Sequence, residues 1–116
     1  QEKNIEKAIS SYKMAIQLDP KKYAAYLAII GVFFEKKEFN KTLKIIEIAN
    51  SKFPQDYELK AQEANCYFLL GDTSRAIYRY EEAYKINPSQ NLAQFLAKKY
   101  GEVGNTVKSD YYRSIN

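Results

Sequence analysis

Three prolines, Pro20, Pro54 and Pro88, stand 34 residues apart, and no other feature restricts the fold of this chain as strongly. A period of that length signals a stacked supersecondary unit. Carried upstream from each proline, the same period aligns residue types. Twelve positions back lie Ala8, Thr42 and Ala76, all small. Eight back lie Tyr12, Ile46 and Tyr80, all large, and five back lie Ala15, Ala49 and Ala83.

Small, large and small at spacings of four and three put all three side chains on one stripe of an α-helix. The small residues let a neighbouring helix approach closely, and the large one fills the space between turns. Proline then ends the helix, since it lacks an N–H and disfavours helical geometry in the residue before it. Asp19-Pro20, Phe53-Pro54 and Asn87-Pro88 are therefore read as helix ends. A second helix is expected before each later signature. Tyr26, Ile29, Ile30 and Phe33 form one such stripe, and Ala61, Ala64, Tyr67 and Phe68 another. These stripes run into polar turns at Glu35-Lys36-Lys37-Glu38 and Gly71-Asp72. A helix pair of this kind cannot bury its apolar face alone, so its neighbours must stack.

The arrangement resembles the tetratricopeptide repeat. The second-helix signature of that family is complete at Ala8, Tyr12, Ala15 and Pro20, and again at Ala76, Tyr80, Ala83 and Pro88. The middle copy reads Thr42, Ile46, Ala49 and Pro54. First helices match less closely: the family glycine falls on Ile30, with Gly31 one residue late, and Lys60 and Glu63 stand where large apolar residues are usual. The resemblance covers about residues 1–101 and implies an all-α, right-handed helical-hairpin solenoid of about three repeats plus a capping helix. The chain is expected to be a single domain, with residues 1–20 the second helix of a truncated repeat. Repeats follow at 21–54 and 57–88, with a divergent pair at 89–116. Its first helix, about Ile5 to Leu18, should leave Ile5, Ala8, Tyr12 and Ala15 half exposed, as if an upstream helix had been removed. In the last pair, Asn91 to Tyr100 reads as a helix broken by Gly101 and Gly104, and Thr106 to Ile115 as a solvent-facing cap.

Composition closes off most chemistry. The 116 residues contain no histidine, the commonest general base and metal ligand, and one cysteine, so no internal disulfide forms. Cys66, among Ala64, Tyr67 and Phe68, reads as a core residue with nothing to activate it. Glu81 and Glu82 read as solvated helix surface. No phosphate loop or metal-ligand pattern occurs, so neither enzyme activity nor a cofactor or metal is expected. The apolar run from Ala24 to Phe34 is too short to span a bilayer. The net charge of +4 comes from lysines distributed along the chain. Basic and aromatic residues do adjoin at Lys98-Lys99-Tyr100 and around Arg75 and Arg79, a pattern that suits single-stranded RNA, but Glu81 and Glu82 interrupt it. Nucleic acid is therefore the weaker reading. Gln at position 1 suggests a trimmed chain.

The family resemblance implies a concave groove lined by first helices, where a protein or peptide partner lies. The groove positions projected here are Leu27, Gly31 and Phe34, then Ala61, Gln62, Asn65 and Phe68, then Leu92, Phe95 and Lys99. Ala24, Ala28, Glu58 and Leu96 extend the same stripes. Phe34 and Phe68 have a plainer reading as packing residues between helices, whereas Gln62 and Asn65 could hydrogen-bond a partner backbone. The carboxylate clamp of chaperone-binding relatives would fall on Leu27, Gly31, Gln62, Leu92 and Leu96, which supply no cation. One repeat upstream, the frame puts Ala28, Glu58 and Gln62 there, and an acid would repel a carboxylate. The expected function is thus a non-enzymatic scaffold for a protein partner. The alternative is self-association through the exposed first helix.

Overall fold

The computed structural model describes residues 2–115, which form seven α-helices. They divide into two compact units, one ending at Pro54 and the other beginning at Gln55.

The first unit contains α1 (Glu2–Leu18), α2 (Tyr23–Glu35) and α3 (Phe39–Lys52). The first helix thus begins three residues earlier than its apolar stripe predicts. Pro20 terminates α1 as expected, and the turn after it is fastened from inside. The Asp19 carboxylate accepts from the Lys21 N–H at 3.1 Å, and the buried Tyr26 hydroxyl donates to the Pro20 carbonyl at 2.9 Å. That bond satisfies a phenol that α2 would otherwise bury unpaired. Ala25, Tyr26, Ile29, Ile30 and Phe33 form the buried face of α2, and Thr42, Ile46 and Ala49 that of α3. Thr42 stands where its repeat equivalents carry alanine. Its hydroxyl donates to the Glu38 carbonyl at 2.9 Å, so the extra polar atom is satisfied locally, at the start of its own helix.

The second unit contains α4 (Tyr57–Leu69), α5 (Thr73–Ile86), α6 (Gln90–Glu102) and α7 (Thr106–Arg113). Asp56, Ser89 and Asn105 cap α4, α6 and α7 by accepting from the N–H of Leu59, Leu92 and Lys108, and Asp72 does the same for α5 through Arg75. The core joins Ala64, Ile77, Tyr80 and Ala83 to Leu92, Ala93, Leu96, Ala97, Tyr100 and Tyr112.

Both units make their hairpins with one turn. After α2, Lys37 N–H bonds the Phe34 carbonyl and Glu38 N–H the Phe33 carbonyl, with Lys37 at φ +61°. After α4 the same pair of bonds runs from Gly71 to Phe68 and from Asp72 to Tyr67, with Gly71 at φ +85°. After α6 it runs from Gly104 to Gly101 and from Asn105 to Tyr100, with Gly104 at φ +82°. This is the left-handed helix stop that satisfies the last carbonyls of a helix. It recurs after 34 and then 33 residues, because one residue separates Pro88 from α6 where two separate Pro54 from α4.

The packing of α6 on α7 departs from the sequence reading in two ways. Gly101 does not break α6 but lies inside it, where a Cβ would stand 3.3 Å from the Ser109 hydroxyl. It is a point of close approach between α6 and α7, and the helix stops at Gly104. Nor is α7 merely a solvent-facing cap. It buries Ser109 and Tyr112, and Ser109 donates to the Ala97 carbonyl at 2.8 Å. Ser109 thereby takes the place of the small residue of the earlier signatures, displaced by the shorter link after Pro88.

Candidate protein-interaction site

In the second unit, α4 and α6 turn an aromatic, partly exposed surface to solvent, supported from beneath by α5. The Phe68 and Phe95 rings meet edge to face at 6.0 Å, and Tyr80 packs on both at 5.6 and 4.8 Å. Lys99, one turn beyond Phe95, lays its ammonium over both phenyl rings, 5.2 Å from Phe68 and 5.4 Å from Phe95. Glu102 holds that ammonium at 3.2 Å. An ammonium over two rings is drawn to their negative faces and keeps them half covered without closing them off.

Asn65 sits exposed on the same side of α4 and accepts a hydrogen bond from the Tyr80 hydroxyl. With its oxygen engaged, the amide nitrogen is left to donate outward. Burial pushes the Tyr80 phenol up to about 12, so it remains a donor at any physiological pH. Beside Phe95 a hollow of about 350 Å³ opens to solvent, lined by Tyr57, Tyr80, Ser89, Asn91, Leu92 and Phe95. Its walls are chiefly aromatic and apolar, with a polar edge where α6 begins.

Of the residues projected from sequence, Asn65, Phe68, Phe95 and Lys99 are brought together here, with Ala61 and Gln62 half-buried earlier on α4. Leu92 and Leu96, at 8% and 0% exposure, belong to the core of the unit, with Leu92 also forming part of the wall of the hollow. Leu27, Gly31 and Phe34 lie on α2, at the register of Ala61, Asn65 and Phe68 one repeat later. There Phe34 packs edge to face on Phe39 at 5.5 Å, and Gly31 has nothing within 4 Å of an added Cβ. Tyr57 and Tyr80 were missed as site residues. The available signal was the tyrosine at a position where the middle repeat has Ile46. A hydroxyl there needs an acceptor, and Asn65 is the polar residue within reach.

Two carboxylates also escaped the sequence reading. Glu63 replaces a large apolar residue and is buried on α4, where it pairs with Arg79 Nε at 3.2 Å. Glu81 is not solvated surface. It accepts from the Tyr112 hydroxyl at 2.7 Å and from Lys108 Nζ at 3.2 Å, fastening α7 to α5. Burial pushes its pKa upward, but bonds from Tyr100, Tyr112 and Lys108 outweigh this and hold it below the usual carboxylate value.

Cys66 is fully buried, and burial together with the charge of Glu63 pushes its thiol up to about 11, so it is an inert thiol. Among the described residues, no three Cys, Asp or Glu side chains gather to hold a metal ion. No described helix is long and apolar enough to cross a membrane.

No family model matches this chain, and no curated protein sequence does either. Solved structures do. A crystal structure of MamA superposes with a TM-score of 0.75 at 16% identity, covering 96% of this chain and 66% of that one. MamA 41-end from Desulfovibrio magneticus RS-1 gives 0.72 at 14% identity, covering 96% and 63%. TTC0263, a thermophilic TPR protein of Thermus thermophilus, gives 0.70 at 16% identity, covering 93% and 61%. This chain has a tetratricopeptide-like, all-helical repeat fold. At such identities the likeness speaks for the fold alone, and the chain spans under two thirds of the length of each of these structures. Within the tetratricopeptide-like frame, α2, α4 and α6 are the first helices of their repeats, and α1, α3, α5 and α7 the second.

Proposed function

We propose that this chain is a non-enzymatic scaffold that holds a segment of a partner protein against the exposed face of α4 and α6. The observation that carries this reading is the half-open Phe68–Phe95 pair under Lys99, next to an Asn65 amide with donors to spare. Apolar partner side chains would cover the rings and displace water, while Asn65 would bond a backbone carbonyl of an extended or helical segment. The projected residues Ala61 and Gln62 continue this face along α4. Leu27, Gly31 and Phe34 are proposed as the corresponding contact surface of α2.

Charge supports a protein partner over RNA. The excess of four positive charges falls wholly within residues 1–54, which hold ten lysines against six carboxylates. Residues 55–116 hold eight basic and eight acidic side chains, so the aromatic face belongs to a neutral unit. Binding a phosphate backbone would need a basic one.

The test is selection of binding peptides from a random displayed library, followed by amide-shift mapping of the best binder on the isotope-labelled chain. Shifts should cluster at Asn65, Phe68, Phe95 and Lys99. Phe95→Ser should weaken binding at least tenfold while the chain stays folded. Shifts confined to other surfaces, or full binding by folded Phe95→Ser and Asn65→Ala, would refute the site.

A further inference from the structure

The first unit places a ring where the second leaves an opening. Phe53 stands between the end of α3 and Pro54, and its ring meets Tyr23, the first residue of α2, edge to face at 5.1 Å and Tyr26 at 6.0 Å. In the second unit, Tyr57 is the first residue of α4, and Asn87 precedes the repeat proline at the same separation in sequence. The backbone repeats as well. At Phe53 φ and ψ are −132° and 69°, and at Asn87 −138° and 82°. Each N–H bonds an alanine carbonyl, Ala49 at 2.8 Å and Ala83 at 2.9 Å, and the following proline keeps both residues out of helical geometry. The two side chains therefore leave the chain in one direction. Phe53 is half-buried and Asn87 exposed.

Against Tyr57 lies the hollow of about 350 Å³. It opens within the unit, among residues 57–95, and the position that supplies a ring in the first unit carries asparagine here. Its size is at the small end of the roughly 300–1,000 Å³ of ligand hollows, room for one side chain. Three of its walls are rings, Tyr57, Tyr80 and Phe95, and the last two meet edge to face at 4.8 Å. Such walls favour an aromatic guest over an aliphatic one of similar area. At the rim, Ser89 Oγ accepts from the Leu92 N–H at 3.1 Å, which leaves its proton to donate, and Asn91 is exposed. Both can bond the backbone that carries the guest.

We infer that this hollow is a socket for one aromatic side chain of the partner segment, seated on Tyr57 as Phe53 is seated on Tyr23. The inference rests on the α4–α6 face as a partner surface and adds what the partner must carry there. Tyr80 joins the two, since its ring walls the socket and its hydroxyl donates to Asn65. Tyr57 and Asn65 stand about 12 Å apart along α4. In an extended partner the aromatic residue therefore lies about three to four positions from the carbonyl that Asn65 bonds.

The probe is N-acetyl-phenylalanine amide, titrated into the intact isotope-labelled chain. Saturable shifts are expected at Tyr57, Ser89, Leu92 and Phe95, with N-acetyl-leucine amide about two- to tenfold weaker, the range of a ring pair beyond its buried area. Asn87→Phe changes an exposed residue to the one its counterpart already carries, so the chain should stay folded. The new ring should occupy the socket and abolish binding of the phenylalanine probe. Peptides selected on the α4–α6 face should share one aromatic residue and lose affinity for the Asn87→Phe chain. Equal binding of the two probes, shifts centred elsewhere, or full binding by folded Asn87→Phe would overturn the inference. Peptides that shift Asn65 and Phe68 but carry no aromatic residue would overturn the socket and leave the face standing. Probe binding with no peptide bound to the face would remove the face itself, and with it the partner's ring. A longer polypeptide whose own residues exclude the probe would overturn the inference in favour of that segment.

Discussion

Replacing Glu81 with glutamine should loosen the last helix more than any other single-atom change in the second unit. The carboxylate is 14% exposed and accepts from the Tyr112 hydroxyl at 2.7 Å and Lys108 Nζ at 3.2 Å. Hydrogen bonds to a charged group contribute roughly 1.5–3 kcal/mol each, against about 1 for neutral ones. Glutamine keeps the shape and an acceptor oxygen but loses the charge, so the expected cost is about 1–2 kcal/mol. For a domain of this size that lowers the melting midpoint by roughly 4–15 °C. Urea unfolding followed by tyrosine fluorescence measures it, with Tyr112→Phe as the second edge of a double-mutant cycle. A coupling of about 1 kcal/mol is expected, because removing either partner idles the other. The acid side follows from linkage. The folded pKa of Glu81 lies below its ordinary 4.5, so its contribution is complete above that value and is lost as pH falls through the folded pKa. Glu81→Gln should therefore flatten the acid limb of the stability profile. Additive cycle energies, or a variant within about 0.3 kcal/mol of the parent, would refute the fastening role.

The hairpin turns predict opposite signs at equivalent positions: Lys37→Gly should stabilise by about 1 kcal/mol, since Lys37 holds φ +61°, and Gly71→Ala should destabilise by about as much, both read from denaturant midpoints. Ala83→Leu should cost about 1–3 kcal/mol, because Ala83 is fully buried in the core of the second unit; an unchanged melting midpoint would show that close packing is not needed there. Cys66 should resist thiol reagents in the native state and react at the rate of global unfolding, which labelling against denaturant concentration checks.

Much of this fold was legible because it is written in repeated apolar spacing. The prolines, the alanines and the large residue between them mark α1, α3 and α5, and the family resemblance rests on those same positions. What escaped was polar chemistry whose partners lie far apart in sequence. Glu81 is bonded by residues 27 and 31 positions later, and nothing in its neighbourhood distinguishes it from the adjacent Glu82, which pairs locally with Arg79. Glu63 read as a flaw in an apolar stripe because its compensation, Arg79, belongs to the next helix. Gly101 read as a helix breaker because a glycine's local preference is visible in sequence and a close helix contact is not.

The projected groove divided along a similar line. Its positions were placed by helical phase, and phase alone does not say how far one helix leans over the next. Leu92 and Leu96 share a stripe with Phe95 and Lys99 in projection, yet the packing of α6 against α5 and α7 draws the leucines into the core and leaves the ring and the ammonium outside. The consequence is chemical. Of the stripe projected as leucines, rings and Lys99 together, the part left at the surface is two phenyl rings under one cation, with an amide beside them. Such a surface favours partners that bring apolar side chains together with a backbone carbonyl over partners that bring apolar area alone. The tyrosine beneath it sharpens that preference. By occupying the Asn65 oxygen, Tyr80 fixes the amide as a donor, so the second-helix signature that builds the core also sets the polarity of the face above it.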